Sequence, residues 1–193
     1  MRIVLARRIR PFAAHYRAQA RAARRARADC TVFTGITANN AVQLFNDLGR
    51  AVPRAKLFGS DGVAESGFTD PREGGITRRV ARRVFLSMVT LAPSALPAAG
   101  QAVLAQYRKR YGDRFPDPYA LHGYEAMQLV LDAVAVAGAS RNGVIDSLFS
   151  VRDRQSVLGT YSIDPFGDTT LRSFGIYRIL RGRLRWSNAV AAP

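Results

Sequence analysis

The hydrophobic positions in the first third of the chain alternate between helical and extended spacing. Residues 12–28 are rich in Ala and Arg, which have high helix propensity. The short apolar run from Cys30 to Phe33 ends before a glycine, which predicts a buried strand. Thr37 stands where it can cap a helix over residues 38–49, and the apolar run from Lys56 to Gly59 predicts a second strand.

This order of helix, strand, helix and strand is typical of an α/β fold built on a parallel sheet. Ligands of such sheets bind beyond the carboxyl ends of the strands. Two loops qualify, at residues 35–40 and 59–63. The second loop continues into a long, turn-rich stretch that ends at Gly75, and long loops inside α/β domains are often functional.

The rest of the chain changes from helical to extended spacing. Pro93 interrupts the pattern after a third strand, and Gly138 ends the longest predicted helix. The predicted elements are a strand at residues 84–91, helices at 96–111, 119–137 and 142–150, and strands at 157–163, 174–180 and 184–186.

Charge adds a second possible function. The chain has 193 residues, 29 Lys and Arg, 14 Asp and Glu, and a net charge of +15. Nine arginines and no acid lie in residues 1–28, an Arg/Ala-rich helical segment. Further arginines cluster at residues 78–83 and 178–185. The alternative is therefore a basic nucleic-acid-binding or regulatory α/β domain, although stacking aromatics are sparse in residues 1–28 and nucleic acid is not the expected partner.

The composition argues against several other classes of protein. One cysteine and two histidines leave little room for a disulfide or a zinc site, and no metal or cofactor is expected. The nucleotide-binding, nucleophile-elbow and metalloprotease motifs are missing, so the chain is not expected to be an enzyme. Cys30 is expected to pack as a small hydrophobe, and His15 and His122 to lie on surfaces or helix faces. No apolar stretch is long enough for a transmembrane helix.

Three polar residues have both a functional and a structural interpretation. Asp61 follows the second predicted strand, where its carboxylate can pair with an ammonium group or cap a turn. Thr37 can contact a ligand or cap its helix, and capping is the default. Tyr119 begins a predicted helix, and packing is its default role.

Four segments resemble, in the right order, the rear half of a type I periplasmic solute-binding protein. The family is that of the branched-chain amino-acid (leucine, isoleucine and valine) receptors of ABC transporters, and the resemblance covers residues 12–187. The segments are DCTVFTGITANNAVQLFNDLG, KLFGSDGVAESGF, PDPYALHGYEAMQLVLDAV and VLGTYSIDPFGDTTLRSFGIYRI.

The resemblance implies an incomplete three-layer, parallel-sheet fold of two lobes around a ligand cleft. Residues 12–91 with 174–188 fall in the second lobe, and residues 92–173 supply helices and an edge strand of the first. Asp61 falls where the family pairs an acid with the α-ammonium group of the ligand, although many members have Glu there. Thr37 and Tyr119 fall at positions that line the cleft.

The implied function is that of a substrate-binding component, or a C-terminal fragment of one, in an ABC transporter. The expected ligand is an amino acid or amide, and the expected protein partner is the transporter permease. The family location is periplasmic or at the cell surface. The chain as written has no export signal, so we expect it in the cytoplasm if it is expressed as given. At about half the length that the resemblance requires, its helices should expose apolar surface.

Overall fold

The computed structural model describes residues 2–112 and 119–191, which divide into two compact units. Unit 1 comprises Met1–Val89 with Phe174–Val190, and unit 2 comprises Thr90–Ser173 with Ala191–Pro193. The assignment of residues 12–91 with 174–188 to one receptor lobe, and of residues 92–173 to the other, stays a prediction.

The described residues form helices and strands close to those predicted. The helices are α1 Arg17–Arg25, α2 Ala41–Ala51, α3 Ser66–Thr69, α4 Arg78–Ala81, α5 Ala98–Tyr111, α6 Ala120–Ala137 and α7 Arg141–Phe149. The strands are β1 Cys30–Phe33, β2 Lys56–Gly59, β3 Val84–Met88, β4 Arg154–Ser156, β5 Gly159–Tyr161, β6 Ser173–Leu180 and β7 Arg183–Ala191. None of these helices combines the length and apolar character that a bilayer crossing requires.

Unit 1 is built on a five-stranded sheet in the order β1-β2-β3-β6-β7. Strands β1, β2 and β3 are parallel, and β6 runs antiparallel to β3. Parallel neighbours need a crossover connection, and α2 supplies it between β1 and β2. Arg181 and Gly182 both have positive φ, as a two-residue hairpin turn between β6 and β7 requires. The predicted α/β class with its parallel sheet is confirmed.

The core of unit 1 lies between one face of the sheet and α2. Leu57 and Leu86, from the two central strands, are fully buried there. Phe45 of α2 is also fully buried, and the centroid of its ring lies 6.0 Å from that of Phe33 and 4.9 Å from that of Phe68, edge-on in both cases. Such aromatic pairs contribute about 0.5–1.5 kcal/mol each beyond the area that they bury.

The amino-terminal helix is shorter than the prediction of residues 12–28. It begins at Arg17, after the buried Tyr16, and ends before Arg27, whose φ of 51° breaks the helical backbone. The backbone N–H of Tyr16 donates to the carboxylate of the buried Asp47 on α2 at 2.7 Å, and its hydroxyl donates to the carbonyl of Asn39 at 2.9 Å. These bonds hold α1 against α2.

Unit 2 contains α5, α6, α7 and the β4–β5 hairpin. Its apolar core contains Leu96, Leu104, Leu121 and Val157. The predicted strand at residues 157–163 is wrong in part, because the hairpin turns there. Leu158 donates its backbone N–H to the Ser156 hydroxyl at 3.0 Å, and Gly159 has a φ of 127°. In place of one strand at residues 157–163, the chain therefore forms two short strands, β4 and β5, which pair with each other across this turn.

Candidate functional site

Two loops of unit 1 meet at one edge of the sheet. Strands β1 and β2 are parallel and in register, with Phe33 opposite Gly59 at their carboxyl ends. The backbone N–H of Ser60 donates to the carbonyl of Phe33 at 3.2 Å, and the Ser60 hydroxyl donates to the carbonyl of Gly35 at 3.3 Å. The residues that follow each strand are therefore held next to each other.

Gly62 allows the close approach of these loops. A Cβ atom at this position would lie 2.6 Å from the carbonyl oxygen of Gly35 and 3.0 Å from the side chain of Ile36. Any larger residue would push the loops apart. The sequence predicts that both loops follow the carboxyl ends of strands, and in the structure the two loops also contact each other.

Thr37 lies in the first of these loops, and the prediction that it caps the following helix is wrong. It is the first residue of a 3-10 turn, Thr37–Asn39, without a side-chain capping bond. Helix α2 begins only at Ala41, after Asn40 in the left-handed conformation (φ 61°). The side chain of Asn40 donates instead to the carbonyl of Ala13 at 2.8 Å, which fixes this late start.

The hydroxyl of Thr37 therefore does not cap α2. Its Oγ1 atom is buried and has no hydrogen-bond partner among the described residues. A buried hydroxyl without a partner costs about 1–3 kcal/mol, so this atom would gain from any polar partner that reached it.

Asp61 begins the 3-10 turn Asp61–Val63, directly beyond β2. The residue is exposed, and its backbone carbonyl accepts from the N–H of Ala64 at 2.8 Å. Ser60 occupies the N-cap position of this turn. The structure thus brings Asp61 and Thr37 onto touching loops at the same sheet edge.

Tyr119 belongs to unit 2 and lies at the N-cap of α6, half-buried. Its ring centroid lies 6.0 Å from that of His122, one turn along the helix. The Asp-Pro pair that precedes it in the sequence lies outside the described residues. The role of Tyr119 in a cleft stays a prediction.

The sequence predicts that His122 is a surface or helix-face side chain. It does lie on α6, but its Nδ1 atom is buried without a hydrogen-bond partner among the described residues. Burial lowers the pKa of this imidazole, so the neutral form dominates near neutral pH. The sequence does contain a signal for the contact between His122 and Tyr119. The two residues are three positions apart, and residues so spaced share a helix face.

The other candidate residues behave as packing or surface groups. Burial raises the pKa of the Cys30 thiol, which disfavours the reactive thiolate. His15 is exposed. The described residues contain no group of three or more His, Cys, Asp or Glu that could hold a metal ion.

A sequence profile of the periplasmic binding proteins matches residues 2–182. The chain belongs to this family. The resemblance drawn from the four sequence segments is therefore confirmed. The family consists of solute-binding proteins, which is a class of binding proteins and not of enzymes.

Solved structures of the same fold show how much of the family architecture the chain covers. A leucine-binding protein from Thermotoga maritima superposes with a TM-score of 0.74 at 19% identity, over 90% of this chain and 48% of that one. A branched-chain amino-acid transporter substrate-binding protein from Streptococcus pneumoniae, in complex with isoleucine, has a TM-score of 0.65 at 20% identity, over 85% and 45%. A solute-binding protein of an ABC transporter from R. palustris, in complex with benzoate, has a TM-score of 0.59 at 17% identity, over 91% and 48%.

The chain thus spans 45–48% of the length of these three structures. The predicted type I fold, present in part, is confirmed. No curated protein sequence matches the chain significantly. The roles of Asp61, Thr37 and Tyr119 in ligand binding stay predictions.

Proposed function

We propose that the chain is the part of an amino-acid-type solute-binding protein that supplies one wall of the ligand site. The observation that carries this proposal is the buried, partnerless hydroxyl of Thr37 beside the loop that holds Asp61. In this proposal the Asp61 carboxylate pairs with the α-ammonium group of an amino acid, and Thr37 hydrogen-bonds a polar atom of the same ligand. Tyr119 is a third expected ligand contact in this proposal, on the family resemblance alone.

The proposed mechanism is capture without bond chemistry. A charge-assisted hydrogen bond between Asp61 and an ammonium group contributes about 1.5–3 kcal/mol, and it weakens if water stays between the partners. The isoleucine and benzoate bound in two related structures, and the leucine for which the Thermotoga maritima protein is named, are small ligands with a carboxylate. Only the amino acids carry the ammonium group that an acid at residue 61 would recognise.

The family gives the biological setting of the proposal. We expect the protein to work outside the cytoplasmic membrane and to deliver its ligand to the permease of an ABC transporter. The chain covers about half of the related structures, so the groups that hold the ligand carboxylate are expected on the portion that it does not cover.

The test is a two-dimensional NMR titration of the full chain with leucine, with benzoate as the ligand that lacks the ammonium group. We expect weak binding of leucine, with a Kd above about 1 mM, and shifts centred on the amides of residues 35–39 and 60–63. Asp61→Ala should weaken leucine binding at least about tenfold, because it removes the charge-assisted bond. Thr37→Val should weaken it by a smaller factor.

The matched control is Glu73→Gln, which removes an exposed acid from another turn of unit 1. It should leave the titration unchanged. Equal affinity of Asp61→Ala and the unmodified chain would remove Asp61 from the site, and equal shifts with benzoate would reject recognition of the ammonium group. Micromolar binding by this chain alone would reject the argument that part of the site is missing.

A further inference from the structure

A groove between α1 and α2 in unit 1 has three arginines in its walls. Its volume is about 260 Å³, which is far more than one water molecule needs, so it has room for an anion of several non-hydrogen atoms. The three arginines are exposed, whereas part of the lining is buried. The lining residues are Arg17, Ala20 and Arg21 of α1, and Asp47, Arg50 and Ala51 of α2.

The packing of the two helices brings these arginines together. Arg17 and Arg21 are four residues apart and therefore lie on one face of α1. The backbone N–H of Tyr16 donates to the Asp47 carboxylate at 2.7 Å, which fixes the start of α1 against α2. Arg50 follows Asp47 by three residues on α2 and so lines the same groove from the other side.

Asp47 is the one carboxylate among the lining residues, and its oxygens are already used by this chain. Its Oδ2 atom accepts from the Tyr16 N–H at 2.7 Å, and its Oδ1 atom accepts from Gln43 Nε2 at 2.9 Å and from Arg50 Nη1 at 3.4 Å. The carboxylate is buried, and these contacts point it at the helices that carry it.

Arg17 and Arg21 have no such partner. Within the described residues, neither of them forms an ion pair. Like charges four residues apart repel each other, and Arg17 is the first residue of α1, where a cation opposes the helix dipole. Three guanidinium groups and one carboxylate give the groove a net charge of +2. An anion would relieve this repulsion.

We propose that the groove binds a phosphomonoester group, which a soluble phosphorylated molecule or the headgroup of a phosphatidic-acid lipid can supply. Such a group carries close to two negative charges near neutral pH and has three terminal oxygens, so it matches the charge of the groove and can accept from all three arginines. The planar guanidinium fork suits two phosphate oxygens at a time. The groove shares no residue with the proposed amino-acid site, so either proposal can fail without the other.

Two other anions fit this groove less well. A carboxylate has two oxygens and one charge, which leaves part of the arginine set unmatched. Single-stranded nucleic acid carries one charge per phosphodiester and binds most strongly where bases stack on aromatic side chains. The residues that line the groove include no aromatic side chain.

The experiment is an NMR titration of the full chain that follows the backbone amide and arginine Nε–H signals at constant ionic strength. The probes are inorganic phosphate, glycerol phosphate and acetate. We expect saturable shifts of Arg17, Arg21 and Arg50 with both phosphates, with a Kd of about 1 mM, and at least about tenfold weaker binding of acetate.

The double variant Arg17→Gln, Arg21→Gln should weaken phosphate binding at least about tenfold, because it removes both cations of α1 from the groove. Arg21→Lys keeps the charge but loses the planar fork, so it should weaken binding by a smaller factor. The matched control is Arg78→Gln, Arg79→Gln, which removes the same charge from exposed positions of α4 in unit 1 and should leave the phosphate affinity unchanged.

Folding of the variants is checked by far-UV circular dichroism. Glutamine has high helix propensity and the exchange removes repulsion within α1, so we expect the double variant to fold. The single variant Arg21→Gln, which should also weaken phosphate binding, gives a second reading if the double variant is not folded.

Sedimentation with lipid vesicles separates the two sources of the phosphomonoester. One set of vesicles contains phosphatidylcholine with phosphatidic acid, and the other contains phosphatidylcholine with phosphatidylglycerol, whose phosphate is a diester. A preference for phosphatidic acid that the Arg17→Gln, Arg21→Gln variant loses assigns the group to a lipid. Binding of glycerol phosphate without a vesicle preference assigns it to a soluble molecule.

Three results would overturn the proposal. The first is the absence of saturable shifts with phosphate at the three arginines of the groove. The second is an equal loss of phosphate affinity in the α1 double variant and in its α4 control. The third is tighter binding of a single-stranded oligonucleotide than of either phosphate, if the α1 double variant weakens it.

Discussion

Glu125 is a buried acid in unit 2 that joins α6 to the β4–β5 hairpin. Its Oε1 atom accepts from Arg154 Nε at 2.7 Å and from the Tyr161 hydroxyl at 2.9 Å. Burial and this hydrogen bond raise the pKa of Tyr161 to about 12. Arg154 also donates to Asp132 at 2.7 Å, but Asp132 is 61% exposed, whereas the Glu125 side chain is 6% exposed. The two acids share one arginine in very different surroundings.

Substitution of these acids should therefore have unequal effects on stability. Glu125→Ala leaves the half-buried Arg154 and the buried Tyr161 hydroxyl without their shared acceptor, and we expect it to lower the free energy of unfolding by about 3 kcal/mol. Asp132→Ala should cost less than about 1 kcal/mol, because that pair is solvated. Urea unfolding followed by far-UV circular dichroism measures both. Similar losses for the two variants would contradict the distinction.

At the scale of elements, the β6–β7 hairpin is anchored to the long loop of unit 1. The Thr69 hydroxyl donates to the carbonyl of Gly182 at 2.9 Å, and Asp70 packs against the turn. Arg72 donates to Asp70 from its guanidinium at 2.6 Å and from its backbone N–H at 3.0 Å, which holds the pKa of this carboxyl at about 2. The stretch before Gly75 thus holds the β6–β7 turn in place, and it also continues the candidate loop at residues 59–63.

Gly182 should tolerate a side chain less well than Gly74, although both have positive φ, of 79° and 85°. A Cβ at Gly182 would lie 2.8 Å from Asp70 Cγ, whereas one at Gly74 would meet nothing within 4 Å. We expect Gly74→Ala to cost about 1 kcal/mol from backbone strain alone, and Gly182→Ala at least about twice as much. Chemical unfolding gives the difference, and equal losses would show that Asp70 moves aside freely.

At the scale of the whole molecule, we expect exposed apolar surface, more than net charge, to determine how the chain associates. Helix α6 has apolar residues on most of its circumference, and Met127, Leu131 and Val134 are 59%, 52% and 42% exposed. A helix of that kind is normally buried. This exposed apolar surface is therefore expected to contact other protein surface.

We expect the isolated chain to associate through this face of α6 as its concentration rises. Leu131→Glu should reduce the association, because it places a charge in the contact and leaves the core of unit 2 intact. Ala126→Glu adds the same charge at another exposed position of α6 and is the control. Sedimentation velocity over a concentration series measures both, and an unchanged association in Leu131→Glu would exclude α6 as the contact.

Some of the arginines that give the chain its net charge of +15 make structural contacts. The Arg83 guanidinium donates to the carbonyls of Gly49, Val52 and Ala55 at 2.8–2.9 Å, and so closes the end of α2. Arg178 covers the Phe85 ring and donates to the carbonyl of Arg82. Nucleic-acid binding by the arginine clusters stays the alternative prediction, and a gel-shift series with increasing salt tests it, because phosphate contacts lose affinity steeply as ionic strength rises.

The sequence by itself determined the elements and the family. Hydrophobic spacing located α2, β2, β3 and the three helices of unit 2, because a periodic apolar face reflects burial directly. It also located the two loops at the carboxyl ends of β1 and β2, since parallel strands bring their ends to a common edge.

Only the tertiary structure decided what individual polar groups do. Thr37 reads as a cap in sequence, but the bond between Asn40 and Ala13 starts the helix later and leaves the Thr37 hydroxyl buried without a partner. The chain turns at residues 157–158 because the Ser156 hydroxyl accepts a backbone bond there. The stacking of Phe58 on Phe85 became visible only once the strand register was known, since cross-strand neighbours are remote in sequence. Whether a buried polar group has a hydrogen-bond partner depends on which residues tertiary packing brings together. The hydrophobic periodicity of the sequence does not reveal those partners.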